Sequence, residues 1–195
     1  MSTIENKKDA PTESFASANA WEKWLAANHA TSDGIWLRIF NKDSGKKTVT
    51  YAEALDDALC YGWIDGQKKK CDSDSWIQKF TPRKTRSIWS KRNIEHIERL
   101  TNEKRMKAAG VKAVEDAKKD GRLDAAYDSP SNSATPDDLL EHLEKNKEAK
   151  AFFDSLNKAN KYAIIWRLQT AKKPETREKR MNIILQMLAE GEKFH

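Results

Sequence analysis

The N-terminal half of the chain alternates between helical and extended patterns of apolar residues. Residues 15–29 place apolar side chains at three- and four-residue spacing, which predicts an amphipathic helix. The segment GIWLRIF carries apolar side chains on both faces of an extended chain, which is typical of a central strand. A second helix is predicted over TVTYAEALDDALCYG, because Thr50 and Glu53 form a capping box ahead of an apolar stripe.

The segment after the second predicted helix has the pattern of a β-hairpin. Two β-prone runs, near residues 63–69 and 75–81, are joined by a polar loop. Pro82 ends the second run, because proline has no backbone N–H to donate to a neighbouring strand. A segment rich in Ser, Pro and Asp, YDSPSNSATPDD, then predicts a linker. The C-terminal helices are expected at residues 136–145, 148–156, 158–171 and 175–190.

These elements predict an α+β fold, in which a small antiparallel sheet packed with helices is followed by a helical C-terminal region. The length of 195 residues suits one domain with an appendage, or two small domains. We therefore expect a disordered tail at residues 1–14, an α+β domain at 15–128, a linker at 129–135 and a helical C-terminal region at 136–195.

Positive charge is concentrated in one part of the chain. The net charge of the whole chain is +6, whereas residues 61–107 alone contain 13 basic and 6 acidic side chains. A concentrated positive field favours anionic partners. An anionic ligand is therefore expected at the hairpin or at the helix that follows it.

The sequence lacks the motifs that are typical of nucleotide-binding loops and of metal sites. The sequence contains no GxGxxG, P-loop or HExxH pattern, and its four His are scattered, so we predict no cofactor and no metal site. No apolar run approaches the roughly 20 residues that a membrane helix needs, so no membrane span is expected. Because the N-terminus lacks the apolar segment of a secretory signal, we expect a cytoplasmic protein with Cys60 and Cys71 as free thiols.

The hairpin supplies the candidate ligand site. Its aromatic residues, with polar groups beside them, resemble the floor of a small-ligand site. Beyond Pro82, guanidinium groups reach the rim of the sheet, where they would bind phosphate or carboxylate. A cation in the first turn of the next helix opposes the helix dipole, so it is not there to stabilise that helix. The complete candidate set is Trp63, Asp65, Gln67, Trp76, Arg83, Arg86, Trp89 and Lys91.

A purely structural explanation of the same residues stays open. The tryptophans of the set would bury large areas in a core, and an Asp-Gly pair is common in turns. The two arginines would then pair with acidic groups such as Asp56, Asp57 or Asp65 and hold the hairpin in place.

Five separated motifs carry a family resemblance: TSDGIWLRIFNK, TVTYAEALDDALCYGWIDGQ, WIQKFTPR, RSIWSKRN and AKKPETREKRMNIILQMLAEG. With these motifs the chain resembles the YdeI/OmpD-associated family, also described as bacteriocin-protection proteins, over nearly its whole length after the tail. The resemblance implies a bacterial-type protein linked to envelope stress and to resistance against cationic peptides. It implies no reaction and no catalytic residues.

Three functions fit this sequence. The first is a cytoplasmic binding module for a small anionic ligand, linked to stress or peptide resistance, with a protein partner as a further hypothesis. The second is an enzyme on a phosphorylated or carboxylated metabolite, with Asp65 as its acid/base. The third is a nucleic-acid-binding protein with Trp76 and Trp89 as stacking groups, whose affinity would fall steeply with salt.

Overall fold

The segment GIWLRIF forms a central strand, as its two-sided apolar pattern predicts. The computed structural model describes residues 10–194. Its strands are β1 (Thr12–Ser14), β2 (Ile35–Phe40), β3 (Trp63–Lys70) and β4 (Ser75–Pro82). They form a four-stranded sheet in the order β1-β2-β4-β3. Because β4 pairs antiparallel with both β2 and β3, the sheet contains the hairpin that the sequence predicts.

The first strand makes the sheet mixed rather than purely antiparallel. β1 pairs with β2 in parallel, and the backbone N–H of Trp36 donates to the carbonyl of Pro11 at 2.8 Å. Residues 1–9 of the expected tail lie outside the described residues, but Thr12–Ser14 is a strand. All three of its residues are polar and exposed, so backbone pairing alone holds this strand in the sheet. It has no apolar side chain, so a hydrophobic pattern cannot predict it.

The described chain divides into two compact units. The first, the α+β unit, contains the sheet, the described residues up to 87 and residues 93–124. The second, the helical unit, contains residues 88–92 and the chain from residue 125 onward. The helices are α1 (Ala18–Asn28), α2 (Tyr51–Cys60), α3 (Lys91–Asn102), α4 (Ala108–Lys119), α5 (Asp137–Glu144), α6 (Lys147–Ser155), α7 (Lys158–Gln169) and α8 (Pro174–Ala189). The α+β fold class is thereby confirmed.

Aromatic packing joins the helices of the α+β unit to its sheet. The fully buried Trp21 of α1 lies 5.5 Å from the ring of Phe80 on β4, measured between ring centroids. Its indole N–H donates to the carbonyl of Ala54 on α2 at 3.1 Å. The start of α2 carries the predicted capping box, because the side chains of Thr50 and Glu53 each accept from the other's backbone N–H.

Two glycines bring α4 against the turn that joins α2 to β3. A Cβ atom at Gly110 would lie 2.2 Å from the carbonyl oxygen of Cys60, far inside van der Waals contact. At Gly62, which has a φ of +74°, a Cβ atom would lie 2.9 Å from the carbonyl oxygen of Ala109. This close approach places α4 beside the first residues of β3.

The helical unit has a core that is mainly aliphatic. Its buried residues are Leu139, Leu143, Ala149, Phe153, Ile164, Leu168, Met181, Ile184 and Leu188. They come from α5 to α8 at helical spacing, which is the amphipathic pattern that the sequence shows in this region. Within residues 10–194, no helix combines the length and the apolar character needed to cross a bilayer.

Candidate functional site

A cavity of about 310 Å³ lies entirely within the α+β unit. Four parts of the described chain form its wall: the end of α1, the start of β3, the segment that leaves β4, and α4 with the turn that follows it. The backbone N–H of Arg83 donates to the carbonyl of Gly62 at 3.0 Å, which holds the exit of β4 beside the entry of β3. The cavity is therefore a product of the tight packing around Gly62 and Gly110.

Cationic side chains dominate the wall of this cavity. It is lined by Arg83, Lys84, Lys112 and Arg122, and by one carboxylate, that of Asp116. The Nε and Nη2 atoms of Arg83 are buried. Lys112 lies 3.1 Å from Asp116, but both side chains are more than half exposed, so this ion pair neutralises little of the charge. The arrangement suits a compact anion.

The segment that follows β4 is held in a defined shape. The backbone N–H of Lys84 donates to Oγ of Ser87 at 2.9 Å, and the N–H of Ser87 donates back to the carbonyl of Lys84 at 2.9 Å. Arg122 donates to the carboxylate of Asp120 at 2.7 Å and to the carbonyl of Ser87 at 3.3 Å. Arg122 thus anchors the segment that presents Arg83 and Lys84.

His29, at the end of α1, adds a titratable ring to the wall. Its Nδ1 lies 2.9 Å from the carbonyl of Leu25, and because a carbonyl only accepts, Nδ1 carries the proton. Nε2 is then the ring nitrogen left for a ligand. The ring packs 5.1 Å from that of Tyr61, whose pKa burial raises above its usual value.

Trp63 lines the cavity but is a core residue. Only 1% of its surface is exposed, and its indole N–H donates to the carbonyl of His29 at 3.1 Å. Its ring meets that of Trp24 edge to face at 5.8 Å. Trp63, which the sequence predicts as part of a ligand floor, thus lies at the cavity, but its side chain packs in the core and offers a ligand little surface.

The other predicted hairpin residues lie away from the wall of this cavity. Asp65 accepts a hydrogen bond from the hydroxyl of Tyr51 at 2.8 Å, and Gln67 is exposed. Gln67 lies within a bulge between Asp65 and Lys68, which adds one residue to β3 and breaks the alternation that the prediction assumed. Trp76 lies near Tyr51, with 6.0 Å between the ring centroids.

The structure also separates the predicted cations. Arg83 lines the cavity, whereas Arg86 is exposed and is not one of the described residues in its wall. Trp89 and Lys91 belong to the helical unit, where Lys91 pairs with Asp128 at 2.8 Å. Trp89 is 1% exposed.

The carboxylates that could have paired with the arginines of the hairpin have other partners. Asp56 accepts from Arg99 at 2.7 Å and pairs with His96 at 2.9 Å. Asp57 accepts from Arg105 at 2.9 Å. Asp57 is 7% exposed, so it is buried rather than solvated.

Sequence reasoning missed four basic members of the cavity wall: His29, Lys84, Lys112 and Arg122. Lys84 lies between the two predicted arginines and was the easiest to find. Lys112 and Arg122 reach the site only because α4 packs against the start of β3, and no spacing in the sequence shows that contact. Gly110 is the one local signal, since a glycine inside a helix often marks a close approach.

Comparison with known families accounts for most of the chain. Residues 13–113 match the model of the family described as a domain of unknown function, DUF8412. The chain belongs to the DUF8412 family. This match contains the sheet, α1 to α3 and the first residues of α4, so most of the cavity wall lies inside the DUF8412 domain.

The helical unit carries the second match. Residues 132–191 match the model described as Bacteriocin-protection, YdeI or OmpD-Associated. The YdeI/OmpD-associated resemblance is confirmed for this region; the match does not extend over nearly the whole chain, as the motifs had suggested. No curated protein and no solved structure is detectably similar to this DUF8412 chain.

Within the described residues, no three His, Cys, Asp or Glu side chains are grouped so that they could hold a metal ion. The cysteines are Cys60, which is buried, and Cys71, which is exposed. Burial raises the pKa of the Cys60 thiol to about 11, so this thiol is not poised as a nucleophile at neutral pH. The chemistry of the DUF8412 domain that stands out is therefore cationic.

Proposed function

We propose that the protein is a binding module for a small anionic ligand, held in the cavity between β3, β4 and α4. The observation that carries this proposal is the convergence of Arg83, Lys84, Lys112 and Arg122 on one cavity, in whose wall Asp116 is the one carboxylate among the described residues. Guanidinium groups match phosphate and carboxylate in shape, and charge-assisted hydrogen bonds are stronger than neutral ones.

The size and placement of the cavity favour binding over catalysis. A volume of about 310 Å³ is at the small end of ligand sites, so a phosphorylated or carboxylated metabolite is the expected class. Asp65, the acid/base of the catalytic alternative, hydrogen-bonds Tyr51 and is not among the described residues of the wall. We therefore favour the binding module over the enzyme.

The biological setting of the proposal is stress or peptide resistance in the cytoplasm. The family description of the helical unit names bacteriocin protection. Ligand binding by the α+β unit would then report a metabolic state to whatever the helical unit contacts. A protein partner of the helical unit is part of this proposal.

Calorimetric and thermal-shift titrations with inorganic phosphate, sulfate, citrate and sugar phosphates test the proposal. At least one anion should raise the melting temperature and bind with measurable heat. Arg83→Gln should weaken that binding by about tenfold or more, because a partly buried guanidinium is lost. Lys112→Gln should weaken it several-fold.

Lys118→Gln is the matched control for Lys112→Gln. Both lysines lie on α4 and are exposed, but only Lys112 lines the cavity. Arg86→Gln serves the same purpose for Arg83, because it separates the cavity from the arginine pair that the sequence suggested. If no anion binds, or if Lys118→Gln and Arg86→Gln weaken binding as much as the cavity variants, the cavity is not an anion site.

A further inference from the structure

A second cavity, of about 520 Å³, lies at the end of β2 and the start of α2. Three aromatic side chains line it: Phe40, Tyr51 and Trp76. The aromatic wall distinguishes it from the first cavity, where Trp63 and Tyr61 are buried. Phe40, Tyr51 and Trp76 are each only half-buried, so part of their surface is open to a ligand.

Lysines form the rim of the second cavity. Lys42, Lys46 and Lys47 line it and are exposed, and no carboxylate among residues 10–194 lines it. Lys46 lies 3.6 Å from Asp74, which offsets part of its charge. Within the described chain, Lys42 and Lys47 form no ion pair with a carboxylate. The charges of Lys42 and Lys47 are therefore not neutralised by an ion pair within the described residues.

The aromatic wall is fixed by contacts inside the α+β unit. The hydroxyl of Tyr51 donates to Asp65 at 2.8 Å, and the Tyr51 ring is tilted by 50° against Trp76. The Nζ of Lys68 lies 4.0 Å from the centre of the Trp76 ring, and Nζ of Lys46 lies 4.9 Å from that of Phe40. Positive charge and aromatic surface are thus placed side by side.

We propose that the second cavity binds a nucleotide, with the base against Trp76 and Tyr51 and the phosphates at Lys42, Lys46 and Lys47. A ligand that uses both features must carry an aromatic ring and several negative charges. Base stacking on an aromatic side chain contributes to affinity whichever base is present, so no base-specific contact is needed. Lysine binds phosphate as a point charge, which suits a flexible polyphosphate.

The start of α2 is not the phosphate site. The capping box occupies the backbone N–H groups of Thr50 and Glu53, and the carboxyl of Glu53 adds a negative charge there. Hydrogen bonds from Thr50 hold the pKa of Glu53 below its usual value, so this carboxyl is charged at neutral pH. The phosphates must therefore be held by the lysine side chains, and affinity should depend on salt.

Calorimetric titration with ATP, adenosine and inorganic tripolyphosphate tests the two halves of the site separately. ATP should bind at least tenfold more tightly than either adenosine or tripolyphosphate. Trp76→Leu should weaken ATP binding about tenfold and leave tripolyphosphate binding unchanged, since only the base contacts the aromatic wall. The melting temperature of Trp76→Leu is measured beside it to confirm that the variant folds.

The lysine rim is tested by a triple variant with a charge-matched control. Lys42→Gln, Lys46→Gln and Lys47→Gln together should weaken ATP binding at least tenfold. The control is Lys23→Gln, Lys118→Gln and Lys119→Gln, three exposed lysines of the same unit that line neither cavity. It removes the same charge and should change the affinity less than twofold. These substitutions are all on the surface, so the test stands even if Trp76→Leu does not fold.

Two outcomes overturn the proposal and leave the first cavity untouched. Tripolyphosphate that binds as tightly as ATP would show that the aromatic wall contributes nothing, and equal losses in the site and control triples would show only a diffuse charge effect. A third outcome is loss of ATP binding in Arg83→Gln: ATP would then occupy the first cavity, which supports the proposed function and overturns the nucleotide site. Tighter binding of oligothymidylate than of ATP, unaffected by Trp76→Leu, would point to a nucleic-acid surface and overturn it as well.

Discussion

Both units use arginines to close their fold, and the α+β unit also places two arginines in the wall of its first cavity. In the helical unit, Arg177 donates to the carbonyl of Leu168 at 2.7 Å and to the carboxylate of Asp138 at 2.8 Å. Arg180 donates to the carbonyl of Arg167 at 2.6 Å. These carbonyls lie in the last turn of α7, where fewer backbone donors remain and the arginine side chains add further ones. Arg177 and Arg180 therefore serve to close the fold of the helical unit.

In the α+β unit, several cations also line cavities. Arg83 and Lys112 line the first cavity, and Lys42 and Lys47 line the second. Arg122 has two roles. It anchors the segment after β4 through the carbonyl of Ser87, and it also lines the first cavity. The net charge of a unit does not show which of its cations stabilise the fold and which line a cavity. The position of each cation, in a cavity wall or beside a helix end, does distinguish them.

The largest effect should come from the core of either unit. Leu55→Ala in the α+β unit and Leu168→Ala in the helical unit should each lower the free energy of unfolding by about 2–5 kcal/mol, because both leucines are buried and a cavity is left behind. Leu140→Ala is the control, since this leucine is 42% exposed and should cost little. Urea denaturation measures all three. A Leu55→Ala midpoint equal to that of the wild type would show that Leu55 is not part of a close-packed core.

A substitution at Gly110 tests the close approach of α4 to the turn between α2 and β3. Gly110→Ala should destabilise the protein by about 1–3 kcal/mol or more, because the added methyl would meet the backbone carbonyl of Cys60 and α4 would have to move. It should also weaken anion binding, because α4 carries Lys112. Gly66→Ala is the control, since its added methyl would meet Lys79 at an ordinary 3.8 Å. Equal stability of the two variants would contradict the close approach of α4.

The buried Asp57 gives the α+β unit a pH dependence of its own. Burial is the main cause that raises the pKa of Asp57 to about 6, while Arg105 opposes it. Between about pH 4 and 6 the folded protein then holds a proton that the unfolded chain has lost. This contribution to stability is therefore full below pH 4 and falls as pH rises to 6, by an amount on the order of 2 kcal/mol.

Asp57→Asn should remove that loss, because an amide does not titrate. The quantity to measure is the difference in unfolding free energy between wild type and variant from pH 4 to 7, since the other carboxyl groups cancel in that difference. A difference that stays constant over this range would show that Asp57 is charged throughout.

The pattern of apolar residues within each segment predicts most helices and strands of the fold. The features that it does not predict depend on contacts between segments that are distant in the sequence. The hairpin and the C-terminal helices follow from apolar periodicity, which each segment carries in its own sequence. β1 is three polar residues paired through the backbone, so it has no such signal. Of the predicted site residues, Trp63 and Arg83 lie in the wall of the first cavity. Its remaining cations depend on the contact of α4 with the Gly62 turn, and this contact cannot be inferred from the spacing of charges.

The smallest effect should come from Arg177 in the helical unit. Arg177→Gln removes its hydrogen bonds to Asp138 and to the carbonyl of Leu168, but the pair is partly exposed, so we expect a loss of about 1 kcal/mol. The Arg177 hydrogen bond is the main cause that lowers the pKa of Asp138. Its share of the stability is therefore present above the usual carboxyl pKa and lost as pH falls through the lowered one.

The loss in Arg177→Gln should accordingly be larger at pH 7 than at pH 3. Anion and nucleotide binding should be unchanged in this variant, because its positive charge serves the fold of the helical unit. Urea denaturation at the two pH values, with calorimetry at pH 7, measures both expectations. If Arg177→Gln weakened anion binding as strongly as Arg83→Gln, the contrast between an arginine that closes a helix and an arginine that lines a cavity would be wrong.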